Sequence, residues 1–167
     1  IASRTYLEFI RIMPQLVLLF VVYFGFTRSF GWNLSAYTSS IIVFTAWGTA
    51  EMGDLVRGAL GSIPRHQYES AHVLGLSPLQ TYRFVIIPQM TARTLPALAG
   101  QFASIIKDSS LLSMISVTEL TQTMREISAV NLNLVECYLF LGVLYLILTL
   151  PVVLVSNLLE KRFRYEA

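Results

Sequence analysis

This sequence predicts an all-α, polytopic membrane protein, and three observations carry that expectation. Of its 167 residues, 54% are hydrophobic and only 13% are charged, whereas a soluble domain carries about 25% charged residues. The mean hydropathy is accordingly high, at +0.61. The charges also cluster, leaving uncharged runs over residues 12–27, 29–50 and 137–159. A helix of roughly 20 mainly apolar residues crosses the hydrocarbon core. Finally, most basic residues fall on one side of the spans defined in this way.

Four spans are expected. The first covers about 12–31, with Trp32 as an interfacial anchor. The second covers about 36–56 and carries Ala46, Ala50 and Gly53 on one face, where small side chains let membrane helices approach closely. Near its end Asp54 stands one turn from Arg57, the spacing of an intrahelical ion pair. The third span, about 92–117, is interrupted by Lys107-Asp108-Ser109-Ser110. The fourth, about 135–159, contains Pro151, which neighbouring helices can accommodate.

Between the second and third spans lies a polar cassette, residues 57–92, with local structure that can be read directly. Pro64 suits the start of a helix running to about Leu74, and Gly75 suits the left-handed residue that ends one. Ser77-Pro78-Leu79-Gln80 reads as a capping box with proline at the first helical position. The second helix should stop near Ile86, because a residue before proline, here Pro88, is biased away from helix. Two arms this short cannot cross a bilayer. Their turn, with Leu74, Leu76 and Leu79, could instead enter a groove on a partner protein.

Basic residues orient the chain. Four crossings place Arg4, Arg11, Arg57, Arg65, Arg83, Arg93, Lys161, Arg162 and Arg164 on one side and only Arg28 and Arg125 on the other. The richer side is cytoplasmic by the positive-inside rule, which puts the cassette and the C-terminus in the cytoplasm. Lys107 falls inside a span, about 21 Å beyond Arg93 along a helix. Charges at such depth usually face a bundle interior or an aqueous path, and broken helices often build solute sites there. Lys107, Asp108, Ser109 and Ser110 are therefore candidates for the substrate path. The plainer alternative is structural, with Asp108 capping the next helical turn. The net charge of +2 gives no reason to expect nucleic acid. His66 and His72 lack the carboxylate or thiol company of a metal site, Cys137 is the sole cysteine, and no Gly-rich phosphate loop is present.

The cassette resembles the EAA loop of ABC importer permeases. Glu69, Ser70 and Ala71 fill its Glu-Ala-Ala triplet, Gly75 its glycine, and Ile87-Pro88 its closing pair. Arg57-Gly58, Ser62-Ile63-Pro64 and Gln67 before it, and Gln89 and Arg93 after it, resemble the polar amino acid branch of that family. So do Lys107-Asp108-Ser109-Ser110-Leu111, Glu119-Leu120, and the segment holding Tyr6, Glu8, Arg11, Pro14 and Tyr23-Phe24-Gly25. Departures fall at His66, Ser70 and Gly100.

The resemblance implies one type I ABC importer transmembrane domain over residues 1–167. The family's usual five spans imply a further N-terminal span beyond an incomplete chain. It also implies polar amino acid uptake by alternating access in a bacterial inner membrane, with no catalysis by this subunit. Implied partners are a cytoplasmic ATPase dimer that binds ATP and Mg, a second permease subunit, an extracytoplasmic solute-binding protein and membrane lipid. Glu69, Ser70, Ala71, Gly75, Leu76, Ser77 and Pro88 would dock the ATPase, with Glu69 facing a basic residue and Gly75 permitting the turn. The readings left open are import of another small solute (an opine, a peptide or a sulfur compound), a membrane enzyme using Lys107 and Asp108, and a passive channel.

Overall fold

A computed structural model describes residues 2–164 and the side chains of residues 5–162. The side chains of Arg4 and Arg164 and the C-terminal end, which enter the orientation argument, lie outside the described residues. Within them the secondary structure is helical and no strand occurs.

Helix α1 (Ala2–Ile12) and helix α2 (Gln15–Phe30) meet at a 99° bend. The expected first span therefore starts later than the sequence suggested. Pro14, extended at ψ 131, offers no N–H and drives the residue before it out of helix, so Ile12 and Met13 fall before the bend. α2 contains a π-helical stretch, Val21–Gly25, and ends at Gly31 with φ 68. Helix α3 (Ala36–Gly61) comes next. Ser35 opens it, its hydroxyl accepting from the Thr38 N–H at 3.0 Å.

Helix α4 (Arg65–Val73) is the first arm of the cassette, and helix α5 (residues 78–108) supplies the second arm and continues beyond it. The expected stop near Ile86 does not occur. Pro88 lacks an N–H and would crowd the carbonyl of Phe84 in a regular helix. The backbone instead widens over Tyr82–Ile86, where the Ile87 N–H reaches back five residues to the Tyr82 carbonyl. This π-helical step absorbs the proline, and the helix runs on to Asp108. A 3-10 turn (Ser109–Ile115) leads to helix α6 (Leu120–Asn131) and then to helix α7 (Leu134–Arg164).

Among the described residues only α7 is long and apolar enough to cross a membrane by itself, while α1 and α2 pass that test as a bent pair. α3 and α5 are long enough but carry Glu51, Asp54 and Arg57, and Arg83, Arg93, Lys107 and Asp108. α7 is apolar on every face, with Leu139, Phe140, Val143, Leu146, Ile147, Leu150 and Leu154 all exposed. Only 6% of its most apolar stretch is buried. Each such side chain is worth roughly 1.5–3 kcal/mol when taken from water. Leaving them in water would cancel a whole domain's net stability of about 5–15 kcal/mol, so α7 requires lipid or protein around it.

The chain forms two compact units, each assembled from distant segments. Residues 1–51 and 103–151 make the first. Its core gathers Ile10, Leu18, Leu19, Val22, Val43, Ala50 and Ile115. α1 is fastened to α3 there: the Tyr6 hydroxyl donates to the Ala46 carbonyl at 2.8 Å, and Arg11 pairs with Glu51 at 3.2 Å. Residues 52–102 and 152–167 make the second unit. In it the Ser156 hydroxyl of α7 donates to the Pro96 carbonyl of α5 at 2.8 Å.

Candidate functional site

The cassette belongs to the second unit, and its turn is built from backbone chemistry. Past Val73 and Leu74, Gly75 adopts φ 74. Its N–H donates to the His72 carbonyl at 2.9 Å, and the Leu76 N–H donates to the Ala71 carbonyl at 3.1 Å. This pair of bonds is the Schellman closure that satisfies the last carbonyls of α4. Two residues later the capping box forms: the Ser77 N–H donates to Gln80 Oε1 at 2.9 Å, and the Gln80 N–H donates to Ser77 Oγ at 3.4 Å. Pro78 stands at the first helical position, as its spacing predicts.

The docking candidates divide by exposure. Glu69, Ser70, Gly75 and Ser77 are exposed, whereas Ala71 is buried and packs the inside of the arm. Leu74 and Leu79 stand out at 77% and 79% exposure on either side of the turn. Leu76 is half-buried and lines a shallow cavity of about 190 Å³ with Tyr68, His72, Pro78, Thr81 and Tyr82. Pro88 is exposed on the body of α5, not at a helix end. His66 is exposed as well, and among the described residues no group of three His, Cys, Asp or Glu side chains could hold a metal.

The polar break belongs to the first unit. Lys107 and Asp108 are the last residues of α5, Lys107 exposed and Asp108 half-buried. Asp108 makes no capping bond to the next turn, which corrects the structural alternative for that residue. Serines bond the backbone there in a different way, as donors to carbonyls and not as caps. Ser109 Oγ donates to the Ile106 carbonyl and Ser113 Oγ to the Ser110 carbonyl, both at 2.7 Å. These back-bonds compete with regular helix, and the backbone tightens to 3-10 geometry.

Sequence reasoning missed α6. Its N-cap is Glu119, whose carboxylate accepts from the Thr121 and Gln122 N–H groups at 2.8 and 2.7 Å. Tyr145 of α7 donates to the same carboxylate at 3.2 Å, and Arg125 donates to the Ser113 carbonyl at 3.3 Å. The inward positions Leu120, Thr121, Met124 and Ser128 match helical spacing, a pattern legible in the sequence. The Arg11–Glu51 pair left no such trace, because its partners lie 40 residues apart.

Comparison with known proteins adds identity to this geometry. Residues 1–165 match the family described as binding-protein-dependent transport system inner membrane component. The probable amino-acid ABC transporter permease protein YckA of Bacillus subtilis is 35% identical over 163 residues, 98% of this chain and 72% of its own length. The glutamine transport system permease protein GlnP of Escherichia coli K12 is 34% identical over 163 residues, covering 97% of this chain and 74% of the relative. A solved structure described as the crystal structure of an amino acid ABC transporter with histidines superposes with a TM-score of 0.89. It is 31% identical and covers 95% of this chain and 74% of its own.

Proposed function

The chain belongs to the binding-protein-dependent transport system inner membrane components, and from that premise we propose that it imports polar amino acids as an ABC importer permease. The relatives' own cargo supports that choice of solute, since amino acids or glutamine appear in their names. The observation that carries the coupling role is the cassette. Its turn projects Leu74 and Leu79 into solvent while Ala71 and Thr81 close its inner face. A structural connector has no reason to display two leucines beside a tightly capped turn, whereas a partner's groove would bury them.

In this reading α2, α3, α5 and α7 cross the membrane, with the cassette and C-terminus cytoplasmic. Glu69, Ser70, Ala71, Gly75, Leu76, Ser77 and Pro88 form the region that meets an ATPase dimer. Glu69 faces a basic residue of that partner. ATP and Mg bind to the ATPase, and its closure favours one of two arrangements of the spans. A second permease subunit and an extracytoplasmic solute-binding protein complete the assembly. Lys107, Asp108, Ser109 and Ser110, where α5 gives way to the 3-10 turn, border the solute path.

The test is ATP-driven uptake in proteoliposomes holding the complete transporter and offered a panel of amino acids, opines, peptides and sulfur compounds. Uptake of a polar amino acid that Glu69→Lys abolishes, with the spans still folded, is the expected result. Full uptake by Glu69→Lys would remove the docking role. Uptake of only another solute would remove the amino-acid assignment.

A further inference from the structure

We propose that Arg93 is a positioning residue that locks the joint between α3 and the cassette, so that a push on the turn reaches both flanking helices. The inference rests on the reading of the cassette as the ATPase contact. One face of α5 presents Tyr82, Ile86, Gln89 and Arg93, at spacings of four, three and four residues that place them in one stripe. The stripe fastens to the preceding segment in antiparallel order. Tyr82 meets Tyr68 edge-on, with ring centroids 6.2 Å apart. Gln89 Nε2 donates to Gln67 Oε1 at 3.2 Å and to the Val85 carbonyl at 3.0 Å. Arg93 Nη1 donates to the Ser62 carbonyl at 2.7 Å and to Ser62 Oγ at 2.8 Å. Ile86, fully buried, lies between the first two contacts.

Ser62 is where α3 ends and the chain turns toward α4. Its hydroxyl is already oriented, donating to the Ala59 carbonyl at 2.7 Å, so it is free to accept from the guanidinium. The carbonyl end of α3 carries partial negative charge, and a cation there gains from the helix dipole as well as from two charge-assisted bonds. Without Arg93 the joint over residues 62–64 would keep its local bonds, among them Ser62 N–H to the Gly58 carbonyl, Ile63 N–H to the Leu60 carbonyl and Ser62 Oγ to the Ala59 carbonyl, but would lose the tie from Ser62 to α5. Such a joint can flex, and flexing would absorb the displacement of the cassette before α3 moved. Ser62 is exposed, so water replaces the guanidinium when it is removed and the fold survives.

The experiment uses the complete transporter with its ATPase and solute-binding protein, and measures solute taken up per ATP hydrolysed. Arg93→Met keeps the apolar stem and removes the charge. Its ATPase should still co-purify while uptake per ATP falls about tenfold, the scale of losing two exposed charge-assisted bonds that water partly replaces. Arg93→Lys should recover most of the coupling. Ser62→Ala should lower coupling less than Arg93→Met and add nothing to it in the double variant. Wild-type coupling in Arg93→Met would overturn the proposal. So would loss of the ATPase from that variant, since the arginine would then hold the docking surface itself. Failure of the ATPase to co-purify with the wild type would instead strike the docking reading.

Discussion

At the residue scale Gly75 is the most constrained position of the cassette. A Cβ added there meets nothing within 4 Å, so the constraint is its left-handed backbone at φ 74 and not space within this chain. That conformation costs most L-residues about 1–2 kcal/mol, and asparagine less. Gly75→Asn should therefore keep the fold, with a thermal midpoint close to wild type, yet add a side chain where a partner would approach. Loss of the co-purifying ATPase with an unchanged melting profile is the expected outcome. Retention of both would mean that the turn does not sit in a groove. The glycine and the Ser77–Gln80 box were legible because capping is local chemistry, completed within six residues. The sequence showed Arg93 as a motif residue and a cytoplasmic charge but not its contact with Ser62, since that acceptor lies 31 residues earlier.

At the scale of elements the continuity of α5 matters most. A proline at 88 normally ends or kinks a helix, yet the π-helical step over Tyr82–Ile86 carries the helix through it. α5 thus carries the cassette turn past Pro88 as one continuous rod within the second unit. Spin labels at Phe84 and Phe102, both exposed, should lie about 27 Å apart along the axis, from 1.5 Å rise per residue over 18 residues. A single narrow distance distribution near that value supports the continuous rod. A broad, shorter one would indicate a hinge at one of the two prolines between the labels, Pro88 or Pro96. Proline's cost was readable from sequence, but its relief was not. A π-helical step depends on neighbours that hold the widened turn, here Ile86 and Thr81, both buried.

At the scale of the whole molecule, orientation in the bilayer decides whether the cassette can reach an ATPase. With Cys137 replaced by serine, a lone cysteine at His66 should react with an impermeant maleimide only in inside-out vesicles, and one at Asn33 only in intact cells. The reverse pattern would invert the topology drawn from the basic residues. The sequence by itself determined the class of protein and the chemistry of the turn. Charge-poor runs, basic-residue asymmetry and caps are properties of short segments and need no partner from elsewhere in the chain. Only the tertiary structure decided the 99° bend before α2, the passage of α5 through Pro88, and the long-range clamps Arg11–Glu51, Gln89–Gln67 and Arg93–Ser62. Those contacts join residues 22 to 40 positions apart. Which of a chain's many polar groups meet over such distances is set by how whole helices pack, and no local pattern records it.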